Sequence, residues 1–100
     1  MTLRHMKIFV SVYQNSSITK AAKELHLAQP SVSVTIKELE EYYGQHFFER
    51  IGRRIYPTAA AKEFYGYAVH IVSLFEAMEK ELKNGDEIGT IRVGASITIG

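Results

Sequence analysis

Between Gln29 and Lys37 the sequence QPSVSVTIK sets an amide, short hydroxyls and a lysine on what the spacing predicts to be one helix. These groups perform no covalent chemistry; they exchange hydrogen bonds over short reach. A glutamine bonds adenine in two places, and Ser31, Ser33 and Thr35 can meet bases or phosphates without holding the helix away from a groove. Farther along, FFERIGRRIYPT carries Arg50, Arg53 and Arg54. At a hairpin tip, Arg53 and Arg54 suit a flanking minor groove or a phosphate. Arg50 is open to a structural role instead. Any one of these polar residues is more often simply solvated. The ordered combination of proline start, small polar face and arginine hairpin carries the signal.

Other chemistries find no residues. The chain has no cysteine, which excludes disulfides, thiolate metal sites and thiol nucleophiles. His5, His26, His46 and His70 lack ligand spacing beside carboxylates, so no metal site is expected. Glu40-Glu41 is read as helix surface paired back to Lys37, not as a catalytic carboxylate pair. There is no nucleophile–base set and no phosphate loop. No catalytic residue or cofactor is expected, and the chain is not expected to be an enzyme.

Four helices must position the polar face and the arginines. In the first, Leu3, Met6, Phe9, Val10 and Tyr13 recur at helical spacing, with Thr2 as cap and Asn15-Ser16-Ser17 as interruption. The second starts from Ser17 as N-cap, with Ile18, Ala21, Ala22 and Leu25 as its apolar stripe. The third begins at Gln29-Pro30, where proline's missing N–H costs nothing. It buries Val32, Ile36, Leu39 and Tyr43 and stops at Gly44. A hairpin around Gly52 follows. The fourth, from Thr58 to Lys83, would run roughly 38 Å. Its seam of Ala61, Phe64, Ala68, Ile71, Phe75, Met78 and Leu82 alternates spacings of three and four, a heptad signature. Asn84-Gly85-Asp86 ends it. In GTIRVGASITIG the residues Ile91, Val93 and Ala95 alternate as a strand, which has no visible partner. The chain therefore reads as a fragment.

With 46% hydrophobic and 23% charged residues the chain reads as globular. Its net charge of +1 hides an asymmetry: the basic excess lies in residues 1–60 and an acidic excess in 61–100. A polyanion would meet the first part. No apolar run is long enough to span a membrane and no secretory signal is evident, so a cytoplasmic location is expected.

The stretch from Ser16 to Ala61, together with Phe9 before it, resembles the N-terminal domain of the LysR-type transcriptional regulators. The matching residues are Phe9, Ser17, Ala21-Ala22, Leu25, Gln29-Pro30, Ser31-Val32-Ser33, Ile36, Leu39-Glu40, Gly44, Phe48-Glu49-Arg50, Arg53 and Thr58. Including the final strand, the likeness extends from residue 1 to about 95. It implies a winged helix-turn-helix that binds double-stranded operator DNA at interrupted inverted repeats. It also implies a linker helix that pairs subunits into dimers or tetramers, and a C-terminal domain that binds a small-molecule co-inducer. Thr98 falls where that domain often lines its ligand cleft, which makes it a candidate effector contact in the full-length protein. Three positions depart from the family: Val34 where arginine or another polar residue is common, Ala61 where glycine is, and Tyr43 where leucine is. Valine at 34 puts a base or phosphate contact in doubt, although it can touch a thymine methyl.

The expected fold is mainly α: a winged helix-turn-helix of three helices and a β-hairpin wing over 1–58, then a long dimerisation helix over 59–84. Residues 85–100 are expected to be the hinge and first strand of a truncated effector-binding domain. The candidate DNA contacts are Ser17, Gln29, Pro30, Ser31, Ser33, Val34, Lys37, Arg53 and Arg54. The candidate dimer contacts are Phe64, Ala68, Ile71, Phe75, Met78 and Leu82. A three-helix domain is too small to cover the whole fourth helix, and a bare Phe75, Met78 and Leu82 would be costly. The alternative from another class is a winged-helix module that pairs through the long helix and binds protein rather than DNA.

Overall fold

The computed structural model describes residues 1–84. Four helices and one hairpin follow each other in the order α1 (Leu3–Asn15), α2 (Ile18–Leu25), α3 (Gln29–Tyr43), β1 (Phe48–Ile51), β2 (Arg54–Pro57) and α4 (Ala59–Lys83). The segment GTIRVGASITIG, with Thr98, lies outside the described residues.

Short polar side chains punctuate the chain where the sequence leads one to expect them. Thr2 accepts from the His5 backbone N–H, and the Thr2 N–H donates back to His5 Nδ1, closing a capping box with histidine in the usual place of Glu or Gln. Ser17 caps α2 by accepting from Lys20 N at 3.1 Å. Pro30 opens α3, which ends on Gly44 in the left-handed region (φ 64°). Thr58 caps α4, accepting from Ala61 N at 3.2 Å, while its hydroxyl donates to His46 O at 2.6 Å. Thr58 thereby ties the entrance of the hairpin to the start of α4.

The core forms around Phe9. Its ring meets Phe64 edge-on at 4.7 Å and Phe47 edge-on at 5.2 Å, and lies 5.4 Å from Phe48. Ile8, Val12, Ala21, Ala22, Val32, Ile36 and Leu39 fill the space between the first three helices. This corrects the face expected for α1. Ile8 and Val12 are buried, whereas Leu3, Met6, Val10 and Tyr13 are half-buried. The reason is that α1 packs against α2, α3 and α4 together, so a single stripe cannot describe it. The buried Ser11 donates to Glu24 Oε2 at 3.1 Å, and Asn15 Nδ2 donates to Glu24 Oε1 at 3.1 Å, which joins α1 to α2 and gives the buried hydroxyl a partner. Tyr43 stays 40% exposed at the end of α3, at the edge of this core.

The seam expected along α4 divides into two faces. Ala68 is 1% exposed and Phe64 is half-buried, both turned into the chain's own core. Val72 joins them at 8%. Phe75 is half-buried beneath Lys7, whose Nζ lies 5.5 Å from the ring centroid. Tyr67, Ile71, Leu74, Met78 and Leu82 form the other, exposed face. A heptad reading merges the two because residues three and four apart lie on either side of one line, and α1 covers only one side. The boundary expected after residue 58 also runs through the core, since Ala61, Phe64 and Tyr65 belong to its cluster.

Candidate nucleic-acid interface

The two helices α2 and α3 are joined by His26-Leu27-Ala28 and pack on each other and on α1. Because Val32, Ile36 and Leu39 point inward, the 3.6-residue period puts Pro30, Val34, Lys37 and Glu41 on the outward face of α3. Gln29, Pro30, Ser31 and Lys37 are exposed, Ser33 and Thr35 half-buried. Val34 is 54% exposed.

Some of the small hydroxyls are already occupied. Ser17 Oγ serves as the α2 cap, and Thr35 Oγ1 donates to Ser31 O at 2.9 Å within its own helix. Ser31, Ser33 and Gln29 make no such side-chain bond among the described residues. They are the donors and acceptors left at the head of α3.

Two open grooves run beside Val34, and Val34 lines both. On one side lie Arg4 and His5 of α1 with Ser31, Thr35 and Glu38. On the other lie Ile18, Ser33, Lys37, Phe48 and Arg50, between α3 and the hairpin. The hairpin pairs Ile51 with Arg54 and Arg50 with Ile55 in antiparallel register. Gly52 and Arg53 make the turn, with Gly52 at φ 66°, a conformation other side chains rarely adopt. Strand alternation sets Arg50 on the side of the buried Phe48 and Ile55, facing the α3 groove, whereas Arg54 shares the outer face with Ile51 and Tyr56. Arg53 is at the tip, and all three arginines are exposed.

Electrostatically the face is basic and open. Among the described residues, Arg4, Lys37, Arg50, Arg53 and Arg54 form no ion pair. The nearest acids are engaged instead. Glu38 Oε1 is 3.0 Å from His5 Nε2; since His5 Nδ1 accepts from Thr2 N–H, the ring proton sits on Nε2 and donates to Glu38. Glu40 Oε2 accepts from Phe47 N at 2.8 Å and lies 3.5 Å from His46 Nδ1. Glu40 therefore fixes the hairpin's entrance and is not the free surface carboxylate expected to pair with Lys37. Sequence reasoning passed over Arg4, the His5–Glu38 contact and the groove position of Arg50. For Arg50 the clue was its place two residues beyond the buried Phe48.

Among the described residues no group of three His, Asp or Glu is arranged to hold a metal ion, and no helix is long and apolar enough to cross a membrane.

Residues 3–62 match the family profile described as "Bacterial regulatory helix-turn-helix protein, lysR family". A RuBisCO operon transcriptional regulator of Allochromatium vinosum is 35% identical over 101 residues, covering 99% of this chain and 33% of the relative. The HTH-type transcriptional regulator BenM of Acinetobacter baylyi is 39% identical over 95 residues, covering 94% of this chain and 31% of that protein. The chain thus spans about a third of the length of such relatives. Among solved structures, a complex of the BenM DNA-binding domain with catB site 1 DNA superposes with a TM-score of 0.79 at 38% identity, covering 86% of this chain and 96% of that one. A CbnR DNA-binding-domain complex with DNA gives a TM-score of 0.76 at 30% identity, covering 86% of this chain and 99% of that one.

Proposed function

The chain belongs to the lysR family of bacterial regulatory helix-turn-helix proteins, and from that premise we infer that it is the DNA-binding and subunit-pairing portion of a transcriptional regulator. One observation carries the inference: over its first two turns the exposed side of α3 carries only small or uncharged side chains, and it is flanked on both sides by cations that form no ion pair among the described residues. Such a ridge fits the major groove of B-DNA, with phosphates to either side. In this reading Gln29 and Ser33 meet base edges, Pro30 and Ser31 lie at the groove wall, and Lys37, Arg50 and Arg53 meet phosphate. Arg54 adds positive charge from the outer hairpin face. Ser17 acts through its cap, which aims the first N–H groups of α2 outward.

Pairing of two copies is the second element. The exposed Tyr67, Ile71, Leu74, Met78 and Leu82 form an apolar band on α4 that a second α4 running antiparallel would cover. A two-fold pair then presents two α3 helices to an interrupted inverted repeat. Residues 85–100 fit the hinge and opening strand of an effector-binding domain supplied by the whole protein, with Thr98 as a contact to its small-molecule effector. The likeness to regulators spanning three times this length supports that arrangement. No catalytic role is proposed.

The test is duplex binding by the chain over a series of salt concentrations. A steep loss of affinity with salt is expected, from release of counterions by several phosphate contacts. Flat or absent binding would point to the winged-helix protein-interaction module instead.

A further inference from the structure

The first two turns of α3, from Gln29 to Ile36, hold no charged side chain. No guanidinium is there to take a guanine by its O6 and N7, and no carboxylate to accept from cytosine N4. The Thr35 hydroxyl is committed to Ser31 O. What remains at the crest, between the Arg4 groove and the Lys37–Arg50 groove, is an isopropyl group. Val34 is 54% exposed and is the one large apolar side chain exposed on α3 ahead of Tyr42. An isolated surface valine means little by itself. This one tops the ridge that the flanking cations would hold between two phosphate strands. In the major groove only one feature is apolar, the C5-methyl of thymine.

We propose that Val34 is a specificity-determining residue that reads the C5-methyl of one thymine in each half-site. The inference rests on the DNA-binding reading above and adds to it the base that the crest of α3 selects. Cytosine at that position lacks the methyl and leaves its amino group facing an aliphatic surface. A purine offers ring nitrogen and exocyclic groups that valine cannot satisfy. Gln29, one and a half turns earlier, supplies the hydrogen-bonding half of the same recognition, so that adenine and thymine are the bases this helix is equipped to distinguish.

The experiment enriches binding duplexes from a randomised pool with the wild-type chain. The selected site is then resynthesised with deoxyuridine replacing thymidine at one position at a time. Uracil pairs as thymine does and lacks only the methyl. Affinity for each duplex is measured at fixed salt for the wild type and for Val34→Ala. One thymine per half-site is expected to lose about 4-fold in affinity on conversion to uracil, the worth of one buried methyl group. Val34→Ala, which trims a side chain outside the buried core and is expected to keep a cooperative melt, is expected to bind the two duplexes equally. Indifference of the wild type to every substitution overturns the proposal, as does methyl sensitivity that persists in Val34→Ala. A chain that enriches no sequence at all overturns the DNA reading itself, and this inference with it.

Discussion

The ring of Tyr13 on α1 stacks against that of Tyr65 on α4, 3.9 Å between centroids and 11° from parallel, and the Tyr65 hydroxyl accepts from Gln14 Nε2 at 2.9 Å. The contact joins residues far apart in sequence. With Phe64 against Phe9 it makes the first half of α4 part of the body formed by the other helices.

A chain ending after Thr58 is therefore expected to fail. It would lose Ala61, Phe64 and Tyr65 and open the core beside Phe9. Circular dichroism should show no cooperative melt, whereas a chain ending at Asn84 melts cooperatively. In the intact chain Tyr65→Ala should cost about 1–3 kcal/mol in a denaturant titration, less than full truncation of a buried aromatic because the ring is half-buried. Cooperative folding of residues 1–58 would show that α4 is dispensable to the body.

Gly52 sits at φ 66° and nothing lies within 4 Å of where a Cβ would be. Gly52→Ala should then destabilise by about 1 kcal/mol from backbone conformation alone. Gly52→Asn should cost less, since asparagine tolerates the left-handed region. Equal stability of all three in urea unfolding would mean that the hairpin turn relaxes freely.

At the head of α3, Gln29→Ala should lower affinity for a selected duplex by about 1–3 kcal/mol and spare random duplex. Equal losses on both would reassign Gln29 to phosphate.

The hairpin arginines differ in what they face. Arg50→Ala and Arg53→Ala should each flatten the dependence of log affinity on log salt by about one unit. Arg54→Ala, on the outer face with Ile51 and Tyr56, should change it less. The order of the three slopes is the readout, and an unchanged slope for Arg50 removes it from the interface.

Pairing through α4 is checked at Ile71, which is 41% exposed near the middle of the helix. Ile71→Asp should leave the melt of the single body intact while two carboxylates, brought together in an apolar seam, oppose association. Sedimentation should show dimer for the wild type and monomer for the variant, with duplex affinity falling in parallel. A wild-type monomer at high micromolar concentration would defeat the claim that this helix suffices.

Much of this was legible in the residues. Thr2, Ser17, Pro30, Gly44 and Thr58 mark helix ends because each acts through its own backbone neighbourhood. The hairpin was legible because Gly52 leaves few alternatives. Less legible were features that depend on what lies across the fold. Helical spacing selects Leu3, Met6, Phe9, Val10 and Tyr13 and passes over Ile8 and Val12, which are buried because three helices close around α1. Glu40 looked like surface until the hairpin brought Phe47 N to it. The two faces of α4 merged in one heptad pattern, since spacing records which residues are near neighbours on a helix but not which side a neighbour covers. Sequence pattern offers Arg54 as a DNA contact and leaves Arg50 open to a structural role, whereas the strand register puts them on opposite faces, with Arg50 on the side of the α3 groove.

The outward band on α4 has one more property. Its members recur along the axis from Tyr67 to Leu82, so a partner helix seated on it finds similar footing one turn to either side. A slide of one turn would change the separation of the two bodies by about 5.4 Å, or roughly one and a half base-pair steps at about 3.4 Å each. In the proposed pair, the register chosen along that band would act as a length standard as well as an adhesive. In such a pair, the apolar group at each position would decide how far apart two half-sites must lie to be held at once.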